Sequence, residues 1–428
     1  MPRSQLLILA LGTFALGTDV FVIAGILPDV AQGIRVSLSS AGFLVTVFAL
    51  TYAIGSPVLA SITGSIPRKL LLTSALAIFS LANLFAALAP NYLWLLIARI
   101  VAGVTAAIYT PQASAVGASL VSPNLRGRAL ATVLTGFSAA IVLGVPIGTI
   151  IGTLFSWRLT FGFLAILGGT AAIGIFIALP KASTPEPLSL RERIEVIRRP
   201  RVSKMLLLTI LWTIGSFTVY TYIIPVLRHS MGIPGWETSG ILLWYGLMAM
   251  LGNHIGGIGV DRWGAQTTLT PALGILALVL ATLHWTITTP PETLAALGLW
   301  AISGWILQAP QQHRLLELGP RAPSVMLAWN GSAIYVGMAG GAALGGYLIH
   351  HATITWLGYV GGGCEATALL LHTLWSRAGG LIPKASTVTA STPAKDLSKN
   401  LSSQDCPRSG EEIRLDNSIL NCNNCSSR

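Results

Sequence analysis

Two ionisable residues stand where ionisable residues are costly. Asp19 lies inside an apolar run from Leu6 to Leu27, and Arg99 lies inside another that reads Leu95-Leu-Ile-Ala-Arg99-Ile-Val-Ala-Gly103. A charge in the middle of a membrane-length run costs several kcal/mol unless it is paired or hydrated. Asp19 is about eight residues from the outer end of its run and Arg99 about seven from the outer end of its own; at a rise of about 1.5 Å per residue both sit roughly 10–12 Å below the outer surface. An ion pair at that depth lowers the cost of each partner, and a proton arriving on Asp19 would loosen it. The chemistry on offer is proton-coupled movement. The alternative is a static pair that only ties two helices together.

Other ionisable groups offer less. Glu365 falls mid-run in the last apolar segment, where it reads as a structural acid, and His254 reads as a hydrogen-bonded packing residue. The cysteines are Cys364, Cys406, Cys422 and Cys425, and the single Cys422-Asn-Asn-Cys425 pair lacks the further ligands of a zinc site. The chain has no GxxxxGK[ST] phosphate loop and no catalytic constellation. No metal, no cofactor and no enzymatic activity are expected.

The elements that must hold Asp19 and Arg99 are membrane helices. Only 10% of the 428 residues are charged, 53% are hydrophobic, and 45 are glycine, against about 25% charged in ordinary soluble domains. Several of the 12 tryptophans sit at run ends (Trp94, Trp157, Trp236, Trp356, Trp375), where aromatic belts form. Apolar runs fall near 6–27, 40–63, 69–89, 92–120, 128–154 and 159–179, and after a polar gap near 204–227, 238–260, 268–287, 294–310, 323–349 and 354–376. The first run has no clear cleavage site and is read as a retained helix.

The net charge of +11 is a topology signal rather than a nucleic-acid signal. With both termini inside, the inner loops hold Arg3, Arg68, Lys69, Arg126, Arg128, the cluster Lys181 to Lys204, Arg262, Arg314 and Arg321, and the outer loops hold Arg35, Arg158 and Arg228. By the positive-inside rule both termini are cytoplasmic. The expected organisation is a six-helix bundle at 1–180, a basic linker at 181–203, a second six-helix bundle at 204–376 and a disordered tail at 377–428. In the linker Leu190, Ile194 and Ile197 recur at helical spacing, so a basic amphipathic helix on the inner leaflet and a plain polar tether both fit. Gly55-Ser-Pro-Val-Leu-Ala-Ser-Ile-Thr-Gly-Ser-Ile-Pro-Arg-Lys and Gly252-Asn-His-Ile-Gly-Gly-Ile-Gly-Val-Asp-Arg-Trp-Gly-Ala-Gln occupy the same place in each half. A repeated six-span unit is the mark of a transporter with its site between the halves.

Four stretches carry a family resemblance. Gly257-x-x-x-Asp261-Arg262-Trp263-Gly264 resembles the cytoplasmic loop signature of the major facilitator superfamily; the first-half copy keeps Arg68 and Lys69 but has Gly64 and Ser65 in place of the Asp and Arg. The fifth run carries Gly136, Gly144, Pro146, Gly148 and Gly152, the glycines sharing one helix face. It resembles the antiporter motif of the drug:proton antiporter group, in the form found in the arabinose and sugar-efflux branch and its chloramphenicol-exporter relatives. Gly17-Thr-Asp19-Val20-Phe21 resembles the same branch with the acid one residue early, and the Arg99 segment resembles the family's fourth-span motif.

The resemblance implies a twelve-helix all-α membrane protein with two pseudo-symmetric bundles, in the plasma membrane (the inner membrane in a bacterium), working as a monomer with protons, small molecules and the lipid bilayer as partners and no nucleic acid. It implies proton-coupled efflux of drugs or sugars by alternating access, with Asp19 and Arg99 as the coupling pair. The Asp261 loop would meet the start of the fifth span near Arg126 and Arg128 when the protein is open outward, and the glycine face of the fifth span would seal against the second half. Tyr109, Gln112, Trp212, Tyr220, Trp305 and Gln308 become the cavity candidates, with Trp300, Asn253, Asn330, Tyr335 and Tyr222 behind them. Proton symport or facilitated uptake of a small solute, and a transporter-like sensor using the polar tail, remain as alternatives.

Overall fold

The computed structural model describes residues 3–122, 125–180, 190–233, 237–319 and 323–377, and every regular element among them is helical. In chain order these are α1 (Arg3–Ile34), α2 (Leu38–Ile62), α3 (Arg68–Ala87), α4 (Tyr92–Ser119), α5 (Arg126–Ala139), α6 (Val145–Leu154), α7 (Trp157–Ala178), α8 (Leu190–Ile197), α9 (Pro200–Tyr220), α10 (Ile223–Met231), α11 (Glu237–Trp263), α12 (Ala265–Ala281), α13 (Leu283–Thr286), α14 (Pro290–Ile306), α15 (Gln308–Leu318), α16 (Pro323–His351) and α17 (Trp356–Arg377). The backbone satisfies itself within each helix, which is the condition for crossing lipid. Among the described residues ten helical stretches are long and apolar enough to cross a membrane, among them Arg3–Ile34, Tyr92–Ser119 and Arg126–Leu154. Ala265–Ala281 is a shorter apolar helix, and α17 carries Glu365 and His372 on its buried side.

Helix ends follow local chemistry. Ser37 caps α2 by accepting from the Ser40 N–H at 3.1 Å, and Asn91 caps α4 by accepting from the Trp94 N–H. Gly264 ends α11 at φ 83° and ψ 158°, a backbone conformation that only glycine adopts at little cost. That requirement accounts for the glycine closing the Asp261-Arg262-Trp263-Gly264 stretch.

Helices α1 to α7 pack mainly on one another, as do α9 to α17, and α2 lies along α16 to join the two sets. Two ends of the molecule follow from the chain path. The linker end carries the start of α1, the start of α9 and the end of α17; the far end carries the α1–α2 and α10–α11 turns.

Three expectations change here. Arg314 is not a loop cation: it is 1% exposed inside α15. The α8 helix forms, but its Val196 belongs to an apolar cluster with Val202, Met205, Leu315 and Met326, so the protein rather than lipid covers that side chain. His254 is exposed on α11 without a hydrogen bond to any described residue. The tail from 378 onward, with Cys406, Cys422 and Cys425, and the linker residues 181–189 lie outside the described residues.

Candidate functional site

The Asp19 and Arg99 side chains meet. Arg99 Nη1 donates to Asp19 Oδ1 at 2.6 Å, and the two side chains are 2% and 0% exposed. The guanidinium lies 4.3 Å from the Phe48 ring centroid, a cation–π contact that supplies further compensation. Asp19 Oδ2 and Arg99 Nε have no hydrogen-bond partner among the described residues. The pairing of α1 with α4 thus holds two charges in a dry place with part of their capacity unused.

Removing one partner of such a pair leaves the other buried and uncompensated, at about 3–5 kcal/mol. Arg99→Ala is therefore expected to lower stability by about that amount, because the Asp19 carboxylate keeps no other donor. The double variant Asp19→Asn/Arg99→Gln should recover most of the loss. Chemical unfolding of the purified protein in detergent checks both; equal stability of Arg99→Ala and the parent would refute the energetic reading of the pair.

A cavity of about 290 Å³ opens beside this pair, at the junction of the two helix sets. Its wall takes Phe21 from α1, Tyr52 from α2, Trp212, Ser216 and Tyr220 from α9, Tyr245 and Asn253 from α11, Trp300 and Trp305 from α14, Gln308 from α15, and Tyr335 from α16. Among the described residues the wall has no Asp, Glu, Lys or Arg. Toward the far end it is sealed: Trp300 is 0% exposed and Tyr220 4%. Toward the linker end its Leu134 is 47% exposed and Asn253 is exposed, so the cavity opens there.

Trp212, Tyr220, Trp305 and Gln308 thus stand on the wall. Tyr109 and Gln112 do not. Tyr109 is fully buried, its hydroxyl donating to the Leu9 carbonyl at 3.0 Å where Gly12 makes room for the ring. It is a strut between α4 and α1. Gln112 is 8% exposed and stands off the wall, which α4 reaches through Thr110.

Asp19 is also off the wall. Phe21, two residues on and therefore about 200° around the helix, is the α1 residue that faces the cavity. Its ring lies 5.6 Å from Phe137, 5.7 Å from Tyr220 and 6.0 Å from Phe217. Sequence reasoning missed Phe21, Tyr52, Phe217 and Tyr245 as wall residues; the helical offset from Asp19 was the available signal for Phe21. Between the pair and the cavity stand Phe48 and a stack of Tyr52 on Tyr335, ring centroids 3.6 Å apart. Tyr52 belongs to α2 and Tyr335 to α16, so this screen spans both helix sets.

The far end is held shut by contacts between the sets. Asp29 of α1 faces Arg228 of α10 at 3.6 Å. Thr46 donates to the Ala339 carbonyl, and the Tyr222 hydroxyl, donating to the Ala342 carbonyl, lies against Gly42. Gly246 of α11 sits on the backbone of Ile141–Val142.

That last contact corrects the expected role of the glycine face. Gly136, Gly144, Gly148 and Gly152 do not seal against the second set. They receive α1 within the first: Gly136 meets the Ala10 carbonyl, Gly144 meets Thr18, Gly148 meets Val22 and Gly152 meets Ile26. Pro146 does bear on the helix geometry. It lacks the N–H that would bond the Val142 carbonyl, and the preceding turn, Ala140–Gly144, is π-helical, with the Val145 N–H reaching back to Ala140.

At the linker end Asp261, Arg262, Arg126 and Arg128 are all exposed, and Asp261 has no ion pair with a described residue. Arg68 is 7% exposed at the start of α3, and Lys69 lies over the Phe176 ring at 5.5 Å. The expected Asp261 contact with the start of the fifth span is absent from this arrangement, in which the linker end is the open one. Among the described residues no group of three or more His, Cys, Asp or Glu side chains could hold a metal ion.

Known proteins share this sequence and fold. The sequence profile of the Major Facilitator Superfamily matches residues 9–326. An uncharacterised MFS-type transporter of Bacillus subtilis, YbcL, is 34% identical over 360 residues, covering 83% of this chain and 92% of the relative. The inner membrane transport protein YdhP of Escherichia coli K12 is 31% identical over 344 residues, covering 80% and 88%. A probable sugar efflux transporter of Mannheimia succiniciproducens is 27% identical over 366 residues, covering 86% and 92%. Among solved structures, a bacterial homologue of the human lysosomal transporter Spinster, inward-facing and occupied, matches with a TM-score of 0.70 at 16% identity, covering 89% of this chain and 98% of that one.

Proposed function

The chain belongs to the Major Facilitator Superfamily and is a membrane transporter, and we propose that it exports small organic molecules against proton entry by alternating access. The observation that carries this reading is the Asp19–Arg99 pair, buried behind an aromatic screen whose two rings come from different helix sets. Rocking α2 away from α16 at the far end, where Thr46 meets Ala339, admits water to the pair from the far side while the Tyr52–Tyr335 stack still shields it from the cavity. A proton reaching Asp19 then weakens its hold on Arg99. Closing the far end again and parting the stack on the cavity side lets the proton leave toward the linker end. One charged pair is in this way exposed to one side at a time, as exchange requires.

The topology belongs to the same proposal. The α1–α7 and α9–α17 groupings support two six-span bundles joined by the linker, giving twelve spans with both termini cytoplasmic, in a cell membrane. The open cavity then faces the cytoplasm and takes up its cargo there. Its aromatic wall, with the amides of Asn253, Gln308 and Gln312, suits a cargo with apolar faces and hydrogen-bonding groups, a description that drugs and sugars share.

Accumulation of a panel of labelled drugs and sugars, in cells with and without the protein and with a protonophore, tests the proposal. Export predicts lower accumulation of at least one compound, restored by the protonophore. Raised accumulation would replace export by uptake. Deleting residues after 380 is expected to leave this transport unchanged; loss of a cellular response with transport intact would favour a sensor.

A further inference from the structure

Among the described residues two carboxyls are wholly buried, Asp19 and Glu365. The second has no part in the mechanism above. Glu365 stands on the face of α17 that packs against α9, where Gly215 and Gly361 bring the two backbones together: a Cβ at Gly215 would lie 2.7 Å from the Gly361 carbonyl oxygen and 2.8 Å from Glu365 Oε1. Ser216 Oγ donates to Glu365 Oε1 at 3.1 Å, and Oε2 has no hydrogen-bond partner among the described residues. Ser216 is also on the cavity wall. A single hydroxyl therefore separates this acid from the space the cargo occupies.

Among the described residues no cation offsets Glu365 as Arg99 offsets Asp19. On α9 the titratable groups are Tyr220, one turn on, and Arg201 and Lys204 at the linker end, at least about 18 Å along the helix. The α12 helix, packed on the other side, carries no titratable side chain. The α16 helix brings Tyr335, stacked on Tyr52, and Tyr347, His350 and His351 near the far end. His284 of α13 is exposed at the far end. On α17 itself, Cys364 is adjacent and Tyr359 lies toward the far end. His372 lies two turns on, its ring occupied by Arg314 Nη1 and Thr270 Oγ1 at 3.2 Å each, and Arg377 ends the helix. A carboxylate in this setting has only neutral company, the hydroxyl and backbone N–H of Ser216, and taking up a proton removes the desolvation cost of its charge.

We propose that Glu365 is a second proton-binding site of the transporter, exchanging its proton with the central cavity through the Ser216 hydroxyl. Ser216 Oγ–H passes its hydrogen to Oε1 while Oγ receives one from a hydronium in the cavity, which leaves as water. The reverse sequence returns the proton. The second site makes two proton-binding carboxyls per molecule, one in each half. Its role in transport rests on the proton-coupled reading above, but the site is tested without transport.

The test is infrared difference spectroscopy of the purified full-length protein as pH is stepped, following the protonated-carboxyl C=O band in H2O and D2O. Glu365→Gln is expected to remove one component of that band, and Asp19→Asn a different one. Ser216→Ala keeps the acid and is expected to slow the deuterium shift of the Glu365 component about ten-fold or more, because the hydroxyl relay is gone. Spectra of Glu365→Gln that superimpose on the parent's would overturn the proposal, as would an unchanged exchange rate in Ser216→Ala. Should Glu365→Gln fail to assemble, the exchange rate in Ser216→Ala decides alone. Failure of proton-coupled export appears separately, as efflux insensitive to the protonophore, and leaves the infrared result standing.

Discussion

Asp19→Asn brings pH-gradient-driven efflux down to the level of cells without the protein, while the variant still reaches the membrane folded. The two halves of that expectation have separate grounds. Asparagine has nearly the shape of aspartate, and its Oδ1 can still accept from Arg99 Nη1, now 2.6 Å from the acid. The guanidinium also keeps the Phe48 face beneath it. The variant therefore resembles the protonated parent and loses little packing; what Arg99 loses is its counter-charge, which the Phe48 face and the amide oxygen offset only in part. What the variant itself loses is the ability to change charge. A coupling site frozen in one protonation state gives the proton gradient nothing to act on, whatever the cargo. Asp29→Asn is the control: Asp29 is also an α1 acid, but it is partly exposed and 3.6 Å from Arg228, so its loss weakens only a far-end contact worth about 1 kcal/mol or less. Undiminished gradient-driven efflux in Asp19→Asn would remove the carboxylate from the mechanism and leave the pair as a structural tie.

The helices and the ion pair were legible because both follow from one-dimensional quantities. Apolar run length sets a span, and distance from a run end sets depth, so the matching depths of Asp19 and Arg99 were available from residue counts alone. Direction around a helix was not. Tyr109 and Thr110 are neighbours in sequence, yet one is a strut against Leu9 and the other touches the cavity. An error of one residue rotates a side chain by about 100°, and the apolar pattern of a buried helix does not mark which buried side is hollow. The glycine face shows the same limit: spacing established that a backbone approaches Gly136, Gly144, Gly148 and Gly152, but not that the approaching helix is α1 rather than one from the other half. Arg314 was misread for a related reason, since an arginine near a helix end reads as a loop cation until the fold closes over it.

Gly246 does lie between the halves, and its substitution is expected to have the second large effect. A Cβ there would stand 2.7 Å from the Ile141 carbonyl oxygen and 2.9 Å from the Val142 Cα, both backbone atoms that cannot rotate away. Ile141 and Val142 belong to the first helix set and Gly246 to the second, so the contact is expected to part when the two sets rock open at the far end. Gly246→Leu therefore penalises one conformation rather than the fold. Overpacking of this kind costs about 1–3 kcal/mol, and each 1.4 kcal/mol or so shifts a two-state ratio about ten-fold. The variant should populate a far-end-open state and lose about ten-fold or more of its efflux, since cargo then meets the cavity from the wrong side. Spin labels at Arg35→Cys and Ser230→Cys, in a chain whose native cysteines are replaced, read the opening as a longer interlabel distance. Gly136→Ala, which crowds α1 within one half, should instead lower stability without changing that distance. If Gly246→Leu leaves the distance distribution of the parent intact, the Gly246 contact does not close the far end, and the closure must rest on Tyr222, Asp29–Arg228 and the α2–α16 seam.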